Sequence, residues 1–215
     1  HETGHAVHNM SVKQSYTGTG DVNLLQDYFA PLMEGIAMTF ELLPTDPEWL
    51  LKYGKGSKAE IKRDYKKWVD KSIPWRAFNM RRQLVFVYME RALYKEDPKE
   101  WTKTWWDLNR KFLFIDDDPE TKYTELPGWT SIPHYWGNNA GAYQQYIIAY
   151  MIRAQTYQKL KEKYKSMLKP EPWKEFTKAY IEPGNTGYWD KMIVKLTGEE
   201  LTPKYIMKEL KGESL

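Results

Sequence analysis

The chain has 215 residues, enough for one domain with a sizeable core. Hydrophobic residues make up 41% and charged residues 28%, which excludes a disordered chain, and no run approaches the roughly 18–20 consecutive apolar residues of a membrane span. The net charge of +3 is too small an excess to point to nucleic acid, and the absence of cysteine removes disulfides and thiolate ligands, so any transition-metal site must use histidine and carboxylate.

Helical patterning runs through the chain, and no alternating strand run bounded by hairpin turns occurs. His1 to about Met10 reads as a helix, and Tyr16 to Gly20 as a loop. Asp21 or Asn23 caps a second helix that runs to Leu43 before Pro44, with Pro31 inside it as a kink or a new start. Asp46-Pro47 opens a short helix closed by Gly54; Ser57 caps Lys58 to Asp70; Pro74 starts another helix through about Tyr94. Asp97-Pro98 opens a helix to Phe114, and the Asp-, Pro- and Gly-rich stretch from Asp116 to Gly137 is irregular. Ala140 to Leu168 reads as the longest helix, with its Lys-rich end as a solvated face. Pro172 to Ile181, Tyr188 to Leu196 and Thr202 to Lys211 follow as shorter helices. The expected fold is all-α.

The chain opens within its most informative motif, His1-Glu2-Thr3-Gly4-His5, the H-E-x-x-H pattern. This leads us to expect that residues 1–215 are a single helical region and that an N-terminal half of the protein precedes it. On a helix, positions i and i+4 share a face, so the two imidazoles can bind one zinc ion while Glu2 deprotonates the metal-bound water. A third ligand is needed, and the acids downstream are Asp21, Asp27, Glu34 and Glu41. Glu34 is favoured, because its mostly apolar neighbours would leave an unpaired charge costly to bury. Asp27 or Glu41 as the ligand, and Glu34 as an ordinary surface acid, are the alternatives. Glu41 lies two turns on and could instead hydrogen-bond a ligand histidine. His8 sits roughly 10 Å along the axis from His1, too far to share the ion, and reads as a packing or supporting residue.

His1 to His8 is similar to the zinc helix of the thimet oligopeptidase and oligoendopeptidase F family, and the Glu34 segment, with a second Glu seven residues on, resembles that family's third-ligand helix. Arg82 to Glu90 resembles an Arg-Gln…Phe…Glu helix of the family. Trp129 to Trp136, leading into Ala142 to Tyr146, resembles its Ile-Pro-His element and the tyrosine-bearing helix after it. Angiotensin-converting enzymes and Taq-type carboxypeptidases share this outline. The resemblance covers His1 to about Gln155. It implies a zincin-type catalytic domain, the C-terminal half of a two-lobed helical peptidase, with one zinc ion on His1, His5 and Glu34. It also implies that His134, Tyr143 and Tyr146 bind the substrate backbone and the oxyanion.

The function expected is zinc-dependent hydrolysis of peptide bonds in short peptides, with Glu2 as general base. The competing reading is a helical zinc-site scaffold without activity that binds a partner. The expected partners are a peptide substrate and the N-terminal half of the same protein, with no nucleic acid and no membrane. The resemblance implies a cytoplasmic location.

Overall fold

A computed structural model describes residues 1–13, 22–115, 128–136 and 140–213, with the backbone alone over 22–28. The cap expected at Asp21, the loop at Tyr16 to Gly20, the Asp27 side chain and most of the 116–137 stretch lie outside these residues, whereas Asn23, the other cap expected, lies inside the helix Val22–Leu42. Among the described residues the fold is all-α, with no strand. Its helices are α1 (Glu2–Ser11), α2 (Val22–Leu42), α3 (Pro47–Tyr53), α4 (Lys58–Lys95), α5 (Trp101–Leu113), α6 (Gln144–Tyr164), α7 (Pro170–Phe176), α8 (Trp189–Thr197) and α9 (Lys204–Leu210). A π-helical stretch, Thr177–Ile181, continues α7.

Local chemistry accounts for several of the ends. The Asp46 carboxylate accepts from the Glu48 amide at 2.8 Å, with Pro47 in the first turn of α3, where its missing N–H costs nothing. Asp97 does the same for Lys99 at 2.9 Å, ahead of the short 3-10 turn that leads into α5. Phe114 (φ 58°) and Lys165 (φ 64°) take left-handed conformations where α5 and α6 end.

Two expectations are corrected. Lys58 to Asp70 and Pro74 to Tyr94 are one helix of 38 residues, α4, and it is the longest. Proline has a helical φ and removes a single i→i−4 bond, so the ladder can run on past it, as it does at Pro74. The helix expected from Ala140 to Leu168 is shorter, Gln144–Tyr164. Its start is set from a distance: the buried Glu90 carboxylate of α4 accepts from the amides of Gly141 and Tyr143, each at 2.8 Å. A carboxylate at a helix N-terminus satisfies donors that have no partner within the helix.

The chain forms two compact units. The first comprises His1–Ile73 and Ile148–Leu215, the second Pro74–Ile147. In the first, Leu32 and Ile36 of α2 pack with Ile152 and Leu160 of α6, Phe176 of α7 and Ile193 of α8. Helix α1 lies along α2 and also meets the π-helical stretch. The Lys13 amide donates to the Glu182 carbonyl at 3.1 Å and its ammonium to the Glu182 carboxylate at 2.7 Å, tying the chain beyond α1 to that stretch. Asp46 is buried in this unit and accepts from the Tyr157 hydroxyl and the Lys161 ammonium, both at 2.7 Å. The second unit has an aromatic core of Phe86, Trp105, Trp129, Tyr135 and Tyr143. There the Tyr135 hydroxyl donates to the Phe86 carbonyl at 2.8 Å.

Candidate metal centre

Two glycines let the helices of the first unit approach closely. A Cβ on Gly4 would stand 2.7 Å from Ala37 Cα and 3.1 Å from the Phe40 ring, so α1 meets the α2 backbone directly. A Cβ on Gly35 would stand 2.8 Å from Ile152 Cγ2, so α2 meets α6 in the same way. Each glycine adjoins a residue singled out in the sequence: Gly4 precedes His5, and Gly35 follows Glu34. Gly4→Ala is therefore expected to push α1 off α2. It should destabilise the fold by about 1–3 kcal/mol, measured by denaturant unfolding, and weaken metal uptake in parallel.

At this contact His1, His5 and Glu34 come together, each offering one ligand atom within 4.8 Å of the others. The two imidazole Nε2 atoms are 3.2 Å apart. Glu34 Oε2 lies 3.4 Å from His1 Nε2, and Glu34 Oε1 lies 3.7 Å from His5 Nε2. Ligand atoms held tetrahedrally at about 2.0–2.1 Å from a zinc ion are about 3.3 Å from one another. The two ring nitrogens and the carboxylate thus approach one another about as closely as donors around one zinc ion, and two imidazoles with a carboxylate are donors that suit zinc. The Glu34 side chain is only 17% exposed, so the acid lies sheltered against the two imidazoles.

His1 Nδ1 is paired with Glu41 Oε1. A proton on Nδ1, facing that carboxylate, would leave the Nε2 lone pair for a metal ion beside Glu34 and His5. Burial pushes the Glu41 carboxyl above its usual range, and the Arg153 charge leads the influences that pull it back. Glu2 is exposed in the first turn of α1, and its charge is felt at Glu41. His8 is buried outside the cluster. Burial, and then the nearby His5, lower its pKa.

The residues expected on the tyrosine-bearing segment gather in the second unit. The Tyr146 hydroxyl and His134 Nε2 are 2.9 Å apart. The rings of His134, Tyr143 and Tyr146 contact one another with centroids 5.3–5.5 Å apart. Tyr143 is buried against Phe86, with centroids 5.1 Å apart.

Sequence reasoning passed over Glu90 as the cap of α6, and Arg153. Both act through contacts between residues far apart in the chain. A single buried charge in an otherwise apolar helical run is the signal they share.

An all-α scaffold that sets an H-E-x-x-H helix against a second helix bearing a carboxylate is the architecture of a helical metallopeptidase. The profile of peptidase family M3 matches residues 1–212, and the chain belongs to that family. It is therefore a metallopeptidase, a hydrolase acting on peptides. No curated protein matches the chain. No helix among the described residues is long and apolar enough to cross a membrane.

Proposed function

We propose that the chain hydrolyses peptide bonds in short peptides using one zinc ion held by His1, His5 and Glu34. The single observation that carries this reading is the clustering of two Nε2 atoms and the Glu34 carboxylate, with closest approaches of 3.2, 3.4 and 3.7 Å. Zinc bound there would polarise the scissile carbonyl and bring the pKa of a bound water towards neutrality.

The chain's own residues do the rest. A proton on Nδ1, facing Glu41, holds His1 in its ligand tautomer. The Glu2 carboxylate takes the proton of the attacking water and returns it to the leaving amine nitrogen. The family resemblance supports a role for Tyr146 in donating from its hydroxyl to the carbonyl oxygen as negative charge builds, with His134 and Tyr143 holding the peptide backbone. The 2.9 Å contact between Tyr146 and His134 supports that pairing, since the histidine orients the hydroxyl. On the family resemblance we assign the activity to the cytoplasm.

Cleavage of fluorogenic short peptides tests the reading. Treatment with a zinc chelator is expected to abolish cleavage, and one equivalent of zinc per chain to restore it. Cleavage that persists in the stripped protein would remove the metal from the reaction. A protein that takes up zinc in the triad but cleaves no peptide would favour the inactive scaffold.

A further inference from the structure

Glu90 of α4 is 4% exposed, and a carboxylate so buried needs strong partners. Among the described residues these are two backbone amides of one short stretch: Oε1 accepts from Gly141 and Oε2 from Tyr143, each at 2.8 Å. Gly141 takes φ 86°, a left-handed conformation that glycine adopts without strain. Phe86 lies one turn earlier on the same face of α4 and makes a second hold. Its carbonyl accepts from the Tyr135 hydroxyl at 2.8 Å, and its ring meets the Tyr143 ring with centroids 5.1 Å apart. One turn of α4 thus grips the chain beside His134 and again just ahead of Tyr146. Between these two holds, the Tyr146 hydroxyl and His134 Nε2 meet at 2.9 Å. The Tyr143 ring packs against both rings, with centroids 5.4 and 5.3 Å away. The Tyr146 amide donates to the Tyr143 carbonyl at 3.3 Å, so the placement of Tyr143 passes directly to Tyr146.

We infer that Glu90 is a positioning residue for peptide hydrolysis: by holding the Gly141 and Tyr143 amides it sets the Tyr146 hydroxyl in the place, beside His134, from which it acts. A carboxylate suits this task because it offers an acceptor oxygen to each amide. A glutamine side chain offers one oxygen, and its NH2 group would face the second N–H donor against donor. One hold is then lost, and the first turn of α6 shifts. A misplacement of about 1 Å, even from a change far from the chemistry, can cost about 10²-fold in rate. Glu90 acts on the reaction only through these amides. The inference rests on the proposed role of Tyr146 as donor to the carbonyl oxygen.

The test measures kcat on a short peptide and the zinc dissociation constant, with circular dichroism of each variant to establish folding. Glu90→Gln is expected to lower kcat about tenfold or more. Its zinc affinity should stay within about twofold of wild type, well short of the roughly 10–100-fold loss that follows from removing a metal-supporting partner. The same change in a Tyr146→Phe background identifies the cause. The hydroxyl that Glu90 places is absent there, so kcat is expected to fall by no more than about threefold further. A loss of the same factor in both backgrounds would mean a general disturbance of structure and would overturn the inference, as would wild-type kcat in Glu90→Gln. Should Glu90→Gln not fold, Glu90→Asp, which keeps the charge on a side chain one methylene shorter, goes through the same comparison with the same deciding results. Tyr146→Phe at full kcat would sink the role of Tyr146 itself, and the inference with it. A slow Tyr146→Phe beside a full-rate Glu90→Gln would sink the positioning role alone.

Discussion

Glu2→Gln is expected to keep the metal and lose the reaction. The amide has nearly the shape of the carboxylate, so α1 and its two imidazoles stay in place, but it cannot accept a proton. General-base catalysis by a positioned side chain contributes typically about 10²–10⁴-fold, and the fall in kcat should lie in that range. Glu2 is exposed and is not one of the three clustered donors, so zinc content should remain at the wild-type value. Steady-state kinetics on a short peptide, paired with elemental analysis of the same sample, reads both quantities. Full activity in Glu2→Gln would assign the base to another group, and loss of zinc would make Glu2 a ligand.

Glu34→Ala carries the second large effect, on binding. The carboxylate is one of the three clustered donors, 3.4 Å from His1 Nε2 and 3.7 Å from His5 Nε2. Its removal leaves two neutral imidazoles, a donor set short of the three protein ligands usual in a catalytic zinc site. Zinc affinity should fall by at least about 100-fold, beyond the 10–100-fold typical of losing a supporting residue. Glu41→Gln provides the contrast. Its amide oxygen can still accept from His1 Nδ1, so the loss there should be no more than about tenfold. A larger loss in Glu41→Gln than in Glu34→Ala would mean that Glu41, not Glu34, holds the ion. Titration of both with a fluorescent zinc competitor separates these results.

Much of the site is legible in the sequence because it depends on local periodicity. His1 and His5 share a helical face by spacing alone, and the apolar surroundings of Glu34 mark it as an acid in need of a partner. The suggestion that Glu41 supports a ligand histidine follows from its place two turns after Glu34, and its carboxylate meets His1 Nδ1. The caps at Asp46 and Asp97 are equally local, each an aspartate followed by proline. What the sequence hides is what distant residues decide. Pro74 marks a helix start by rule, yet the ladder runs on through it. The start of α6 depends on Glu90, about fifty residues earlier in the chain, through bonds that no periodicity encodes. Arg153 reads as one charge in an apolar run, and its partner Glu209 lies three helices further on. The close approaches at Gly4 and Gly35 are also tertiary: each glycine looks like a weak helix former until the neighbouring helix is in view.

The most direct test of the proposed centre is a crystal structure of the zinc-loaded protein with diffraction data on both sides of the zinc absorption edge. A single anomalous peak is predicted about 2.0–2.1 Å from His1 Nε2, His5 Nε2 and a Glu34 carboxylate oxygen. No peak at this cluster in crystals soaked to saturation, or a peak bound by other residues, would contradict the proposed centre.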